Sequence, residues 1–328
     1  MADALPPLTA ATALRVWQVS PVVSAGLAAA AAAYLAGAWR VGRRHPARPW
    51  PAWRAAAFLA GLAAVALATQ SSIGAYDDVL FSVHMIQHLL LIMVAPPLLI
   101  LGRPVTLLLH ALGNPVHTWA KRAVRSRPVT ALTWPPAAIA VYCTVVASTH
   151  LTPLMDLVLQ NSAIHDGEHL LYLITGYLFF LPVLGSEPIR WRLPLLSRFA
   201  MLLIVMPADT LTGVILMIAP GELFPPYQHT QRTWGPSPLA DLHAGGIIMW
   251  TGSDLIMTAL AVALALLLVH GPHQPSPAQA ADEDTQLATY NAYLAALTAE
   301  VSARLGGRPP LGGPPPGRGL AGNRKASG

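Results

Sequence analysis

Two histidine pairs in this chain, His84/His88 and His165/His169, share the spacing i, i+4. On a helix that spacing puts both rings on one face, one turn apart. Two such pairs on neighbouring helices would offer four imidazole nitrogens to one ion, and helix bundles often build metal sites this way. The spacing therefore predicts one site made by His84, His88, His165 and His169, with His243 or a nearby methionine as an extra ligand. Imidazole takes copper, zinc or iron, whereas thioether sulfur favours Cu(I); Met85, Met155, Met217 and Met249 lie near the histidines along the chain. The plainer reading is that each histidine hydrogen-bonds a neighbouring helix and each methionine fills a gap in the core. The run His165-Asp166-Gly167-Glu168-His169 also fits H-x-x-E-H, in which two histidines hold zinc and the glutamate activates water. No soluble catalytic domain surrounds it, so Glu168 and Asp166 read better as groups that raise cation affinity or fix a histidine tautomer.

The elements that carry these residues are apolar. The chain is 54% hydrophobic and 11% charged, against about 25% charged in soluble proteins, and the charges sit between long apolar runs. About 20 apolar residues span the hydrocarbon as a helix, and a bilayer tolerates helices because they satisfy their own backbone. Seven segments qualify: 20–39, 53–73, 80–101, 131–150, 164–184, 198–219 and 242–269. The expected fold is an all-α polytopic bundle: a short external N-terminus (1–19), seven helices within 20–270, and a tail (271–328) with one helix at 285–305 and a disordered Gly/Pro-rich end. All but Arg15 and Arg232 of the 20 Lys and Arg fall in alternate loops or the tail. The positive-inside rule makes that side cytoplasmic, with the N-terminus outside and the C-terminus inside a bacterial inner membrane. This also accounts for the pI of about 9.7 without a nucleic-acid partner. Cys143 is the one cysteine, so neither an intrachain disulfide nor a CxxC motif exists. Met1–Trp17 has no basic segment ahead of an apolar run, so the first span is expected to direct insertion itself.

In that frame the histidines share one layer. His84 and His88 open the third span, His150 ends the fourth, His165 and His169 open the fifth and His243 opens the seventh, all on the outer side. Asp209, two residues after Pro207, and Asp254 lie mid-span. An unpaired aspartate there costs about 3 kcal/mol, so these are either a proton or cation relay or protonated helix linkers. Asp209, Asp254, Asp241, Glu168 and Met85 are also candidates to orient the ligands. Pro96 and Pro97 are expected to break the third helix near its cytoplasmic end, and Pro135 and Pro136 to start the fourth.

The stretch from Phe81 through His84-Met85-Ile86-Gln87-His88 to Ala95-Pro96-Pro97-Leu98 and Gly102-Arg103-Pro104 resembles the cytochrome c oxidase assembly factor family of the CtaG type. Supporting it are His165-Asp166-Gly167-Glu168-His169 with Tyr172 and Gly176, Pro207-Ala208-Asp209 with Gly213, and Asp241-Leu242-His243 with Gly245, Gly246, Met249 and Trp250. The resemblance covers about residues 55–270. It implies a non-enzymatic role in maturing a haem–copper oxidase, with copper as the handled metal, oxidase subunits and copper chaperones as partners, and the lipid bilayer around it. It also implies kinship with copper-resistance proteins of the CopD kind. The last-span motif of the family commonly has Gln where His243 stands. Three rivals remain at this stage: a copper importer lined by Asp209 and Asp254, a haem-binding membrane cytochrome, and an intramembrane zinc peptidase.

Overall fold

The computed structural model describes residues 5–47, 49–113, 115–228 and 232–270, with residues 292 and 295–298 of the tail. The chain divides into two units, Met1–His270 and Gly271–Gly328. Within the second, residues 292 and 295–298 are helical. The rest of the helix expected at 285–305 lies outside the described residues, as does the stretch 306–328.

The first unit is helical, with no strand among the described residues. Six helices are long and apolar enough to cross a membrane: Pro21–Arg44, Ala52–Tyr76, Phe81–Ala111, Ser162–Leu184, Leu195–Met217 and Pro238–Leu266. A seventh candidate, a broken span or a re-entrant loop, is Pro135–Leu151 followed by Leu154–Gln160 across a 72° bend. Its 17 residues rise about 25 Å, short of a hydrocarbon layer of about 30 Å. Pro153, which cannot donate to the turn before it, stands at the bend. Large apolar side chains such as Leu255 (72% exposed) and Leu211 (62%) face outward, as a lipid-facing surface requires.

The third span differs most from expectation. Its helix ends at Leu101 as expected, but after a break at Gly102 and Arg103 a further apolar helix, Pro104–Ala111, follows, so that Phe81–Ala111 qualifies as one long candidate span. Pro96 and Pro97 do not end it. Instead the turn before them, Leu90–Val94, widens into a π-helix, with Ala95 N–H bonding Leu90 O. Neither proline has the N–H that an i→i+4 or i→i+5 bond to Ile92 needs, so the ladder reorganises locally rather than ending. Gly176 of the fifth span lies against the Ile92 carbonyl, where any Cβ would collide with it and with Pro96. At Arg103 the backbone turns left-handed (φ 51°), which breaks the helix before Pro104. The chain then resumes as Pro104–Ala111, whose Val105 and Thr106 N–H groups each donate at 3.0 Å to Glu187.

The start of the third span is capped in the same manner. Leu80 has no side-chain cap to offer. Asp241 of the seventh span accepts from Phe81 N–H at 2.7 Å, Ser82 N–H at 3.4 Å and the Ser82 hydroxyl at 2.5 Å. This buried carboxylate, expected as a helper of the metal, thus fixes the helix that carries His84 and His88. Asp241→Ala should lower stability by about 2 kcal/mol, the upper range for a lost cap. It should show as a lower Tm in detergent, and Asp241→Asn, which keeps one acceptor, should lose less. An unchanged Tm for Asp241→Ala would remove this role.

Candidate metal centre

His84 and His88 project from the third span onto Glu168 of the fifth. Each Nε2 lies 3.5 Å from the same Glu168 oxygen. The three residues are 0%, 3% and 4% exposed. Both nitrogens of His84, Nε2 of His88 and both oxygens of Glu168 lack a hydrogen-bond partner. An unpartnered buried polar group costs about 1–3 kcal/mol, so five on three adjoining side chains call for an explanation, and one donor atom from each of the three lies within 4.8 Å of the others. The spacing fits an ion. Two ligand atoms each about 2.1 Å from a metal stand about 3.4 Å apart at a tetrahedral angle.

The neighbours set the His88 tautomer. His150 Nδ1 lies 2.9 Å from the Val146 carbonyl and must donate to it. Its Nε2 is therefore an acceptor, and it faces His88 Nδ1 at 3.4 Å. A proton held on Nδ1 leaves the His88 Nε2 lone pair directed at Glu168. Tyr172 stacks on the His88 ring at 3.9 Å and fixes its plane. Metal-bound histidines are usually oriented by such contacts.

A second group lies beside the first: Asp77, His165 and His169, with donor atoms within 4.8 Å of one another. His165 Nε2 has no hydrogen-bond partner and stands 3.7 Å from Asp77 Oδ2. The His165 and His84 rings stack at 5.3 Å. Gln87 ties the second group together. Its amide nitrogen donates to Asp77 at 2.6 Å and to Ala68 O at 3.0 Å, so its oxygen must accept from His169 Nε2 at 2.9 Å. Burial pushes the Asp77 carboxyl up to about 7. A cavity of about 700 Å³ is lined by Asp77, Asp78, His165, Asp166 and His169.

The four histidines expected in one site thus fall into two groups of three ligands, each completed by a carboxylate. The H-x-x-E-H run is divided likewise: Glu168 turns to His84 and His88, while its two histidines turn to Asp77. His243 belongs to neither group, and its Nε2 donates to Ala219 O at 2.9 Å. Met85 is buried, its side chain against Gly245. Asp209 accepts from the Tyr142 hydroxyl at 3.0 Å, and Asp254 accepts from Thr210 at 3.1 Å. A cavity of about 20 Å³ separates His88 and His150 from Tyr142 and Asp209, room for about one water. Sequence reasoning missed Asp77 and Gln87 and left His150 without a role. The available signals were an acidic pair in the short loop before the third span and an amide beside His88 in an apolar run.

The sequence profile of the family described as cytochrome c oxidase caa3 assembly factor matches residues 32–270. An uncharacterized protein of Mycobacterium bovis is 32% identical over 307 residues, covering 89% of this chain and 46% of its own length. One of Mycobacterium leprae is 30% identical over 296 residues, covering 86% and 45%. The chain spans about half the length of these relatives. No solved structure matches it.

Proposed function

Because the chain belongs to the cytochrome c oxidase caa3 assembly factor family, we propose that it serves the assembly of a haem–copper oxidase by holding copper at the outer face of a bacterial membrane and docking on oxidase subunits. One observation carries the copper reading: five buried atoms of His84, His88 and Glu168 have no hydrogen-bond partner, and one donor atom from each residue lies within 4.8 Å of the others. Two imidazoles and a carboxylate suit copper, zinc or iron by type. At equal geometry the divalent ion they bind most tightly is Cu²⁺. The outer location rests on the alternation of basic loops, which puts the histidine-bearing helix ends opposite the cytoplasm. The protein's part is then delivery rather than catalysis, with a copper chaperone outside the membrane as a fitting supplier. A copper importer of the CopD kind would need a path inward past Asp209 and Asp254, and both carboxylates are already engaged by Tyr142 and Thr210.

The test is a deletion strain grown at limiting copper. Oxidase activity should fall while the apo-subunits are still made, and added copper should partly restore it. Full oxidase activity in that strain at limiting copper would remove the assembly role. A drop in intracellular copper with normal oxidase would favour the importer.

A further inference from the structure

We infer that Asp77, His165 and His169 form a second cation site, a loading station in the wall of the 700 Å³ cavity, from which an ion passes to His84, His88 and Glu168. The inference rests on the reading that this chain handles copper, and it adds where the ion enters and in what order it is held.

Three observations carry it. The first is an orphan atom. His165 is 9% exposed, and its Nε2 has no hydrogen-bond partner. At 3.7 Å from Asp77 Oδ2 it is too far for a hydrogen bond. The gap is close to the separation of about 3.4 Å expected for two ligands of one ion.

The second is the support around the ligands. Gln87 can accept from His169 only through its oxygen, because its nitrogen is committed to Asp77 and Ala68. The proton therefore sits on His169 Nε2, and the Nδ1 lone pair is left for an ion. Metal sites characteristically fix a ligating imidazole through its other nitrogen. Asp77 keeps lone pairs to spare, since Gln87 takes one on Oδ2 and the Asp78 N–H one on Oδ1 at 2.8 Å.

The third is the order of access. The cavity lining includes Asp77, His165 and His169 but none of His84, His88 and Glu168. Asp78 (60% exposed at its side chain) and Asp166 add negative charge at the same cavity, and clefts lined by one sign of charge concentrate the opposite ion. A cation arriving there meets the first trio before the second. The His165 ring, stacked on His84 at 5.3 Å, adjoins both.

The test uses purified full-length protein in detergent and Cu(II) alone. Equilibrium dialysis with metal analysis should find two equivalents on the wild type, one on Asp77→Asn, one on Glu168→Gln and none on the double variant. Asp77→Glu should keep the second equivalent, which a merely structural role for Asp77 would not predict. Gln87→Ala, which keeps every ligand, should weaken one of the two equivalents by about 10–100-fold, as loss of an orienting contact does. Filling of the single site left in Asp77→Asn, followed by rapid mixing, should be at least tenfold slower than in the wild type. One equivalent on the wild type, removed by either Asp77→Asn or Glu168→Gln, would overturn the second site in favour of a single shared one. Equal filling rates would overturn the loading order. Both results leave copper handling intact, whereas no copper on the wild type would sink that reading itself.

Discussion

His84→Ala and His88→Ala are each expected to weaken copper binding at the inner trio by at least about 100-fold, the upper range for losing a mere supporting contact. The double variant should be little worse than either, because one imidazole and one carboxylate no longer make a site. In cells each should bring oxidase activity close to that of the deletion strain at limiting copper. The difficulty with any buried substitution is to separate lost binding from lost folding, and here the two have opposite signs. In the metal-free protein His84 has two unpartnered nitrogens, each costing about 1–3 kcal/mol. Removing the ring relieves that cost and leaves a cavity, whose penalty is of similar size. The metal-free Tm should therefore move little. The rise in Tm that filling the inner trio adds at 100 times its Kd, worth about 2.7 kcal/mol in the wild type, should be lost, leaving only what the Asp77, His165 and His169 site contributes. His243→Ala is the internal control: its Nε2 is engaged by Ala219 O, so copper affinity should stay within about threefold of wild type. Should His243→Ala lose as much as His84→Ala, the ion is held elsewhere.

The helix pairs that matter were legible for a simple reason: i, i+4 spacing guarantees that two rings share a face of their own helix. It says nothing about how two helices are rotated against each other. On the fifth span Glu168 lies between His165 and His169 in sequence but turns toward His84 and His88. That rotation is set by contacts such as Gly176 on the Ile92 carbonyl, which no pattern on one segment reveals. Hence the histidine pairs were readable and the way the two spans group them was not. Asp77 lay in a four-residue connection and carried no periodic signal. Asp241 looked like a metal helper because it neighbours His243, yet it caps a helix 160 positions away in sequence. The spans themselves were readable from hydropathy because the bilayer fixes their length. Their irregularities were not. The π-turn at Leu90–Val94 and the extension to Ala111 depend on prolines whose effect is decided by neighbouring helices that supply or relieve backbone contacts.

The glycines of the last two family motifs lead to the second large effect, in folding. Gly213 and Gly246 face each other where the sixth and seventh spans cross. A Cβ on Gly246 would stand 2.6 Å from both Gly213 O and Met217 N, and one on Gly213 would stand 2.8 Å from Gly246 O. These obstacles are backbone atoms, which cannot swing aside as a flexible side chain can. Small residues at such crossings let helices in a bilayer approach closely, where packing rather than the hydrophobic effect holds them together. Gly246→Val must push the two spans apart, with an expected cost on the order of 3 kcal/mol, the upper range for overpacking. The displacement also reaches the metal centre. Five residues before Gly246, Asp241 holds the first turn of the third span, so moving the seventh span loosens the cap on the helix that carries His84 and His88. Gly246→Val should thus lower the Tm steeply and reduce copper binding in whatever protein folds. Gly42→Val, at a position where a Cβ meets nothing within 4 Å, should change neither by more than a small amount. A Gly246→Val protein with wild-type Tm and copper content would show that the crossing can yield, and that the glycine pair is not what fixes the seventh span against the sixth.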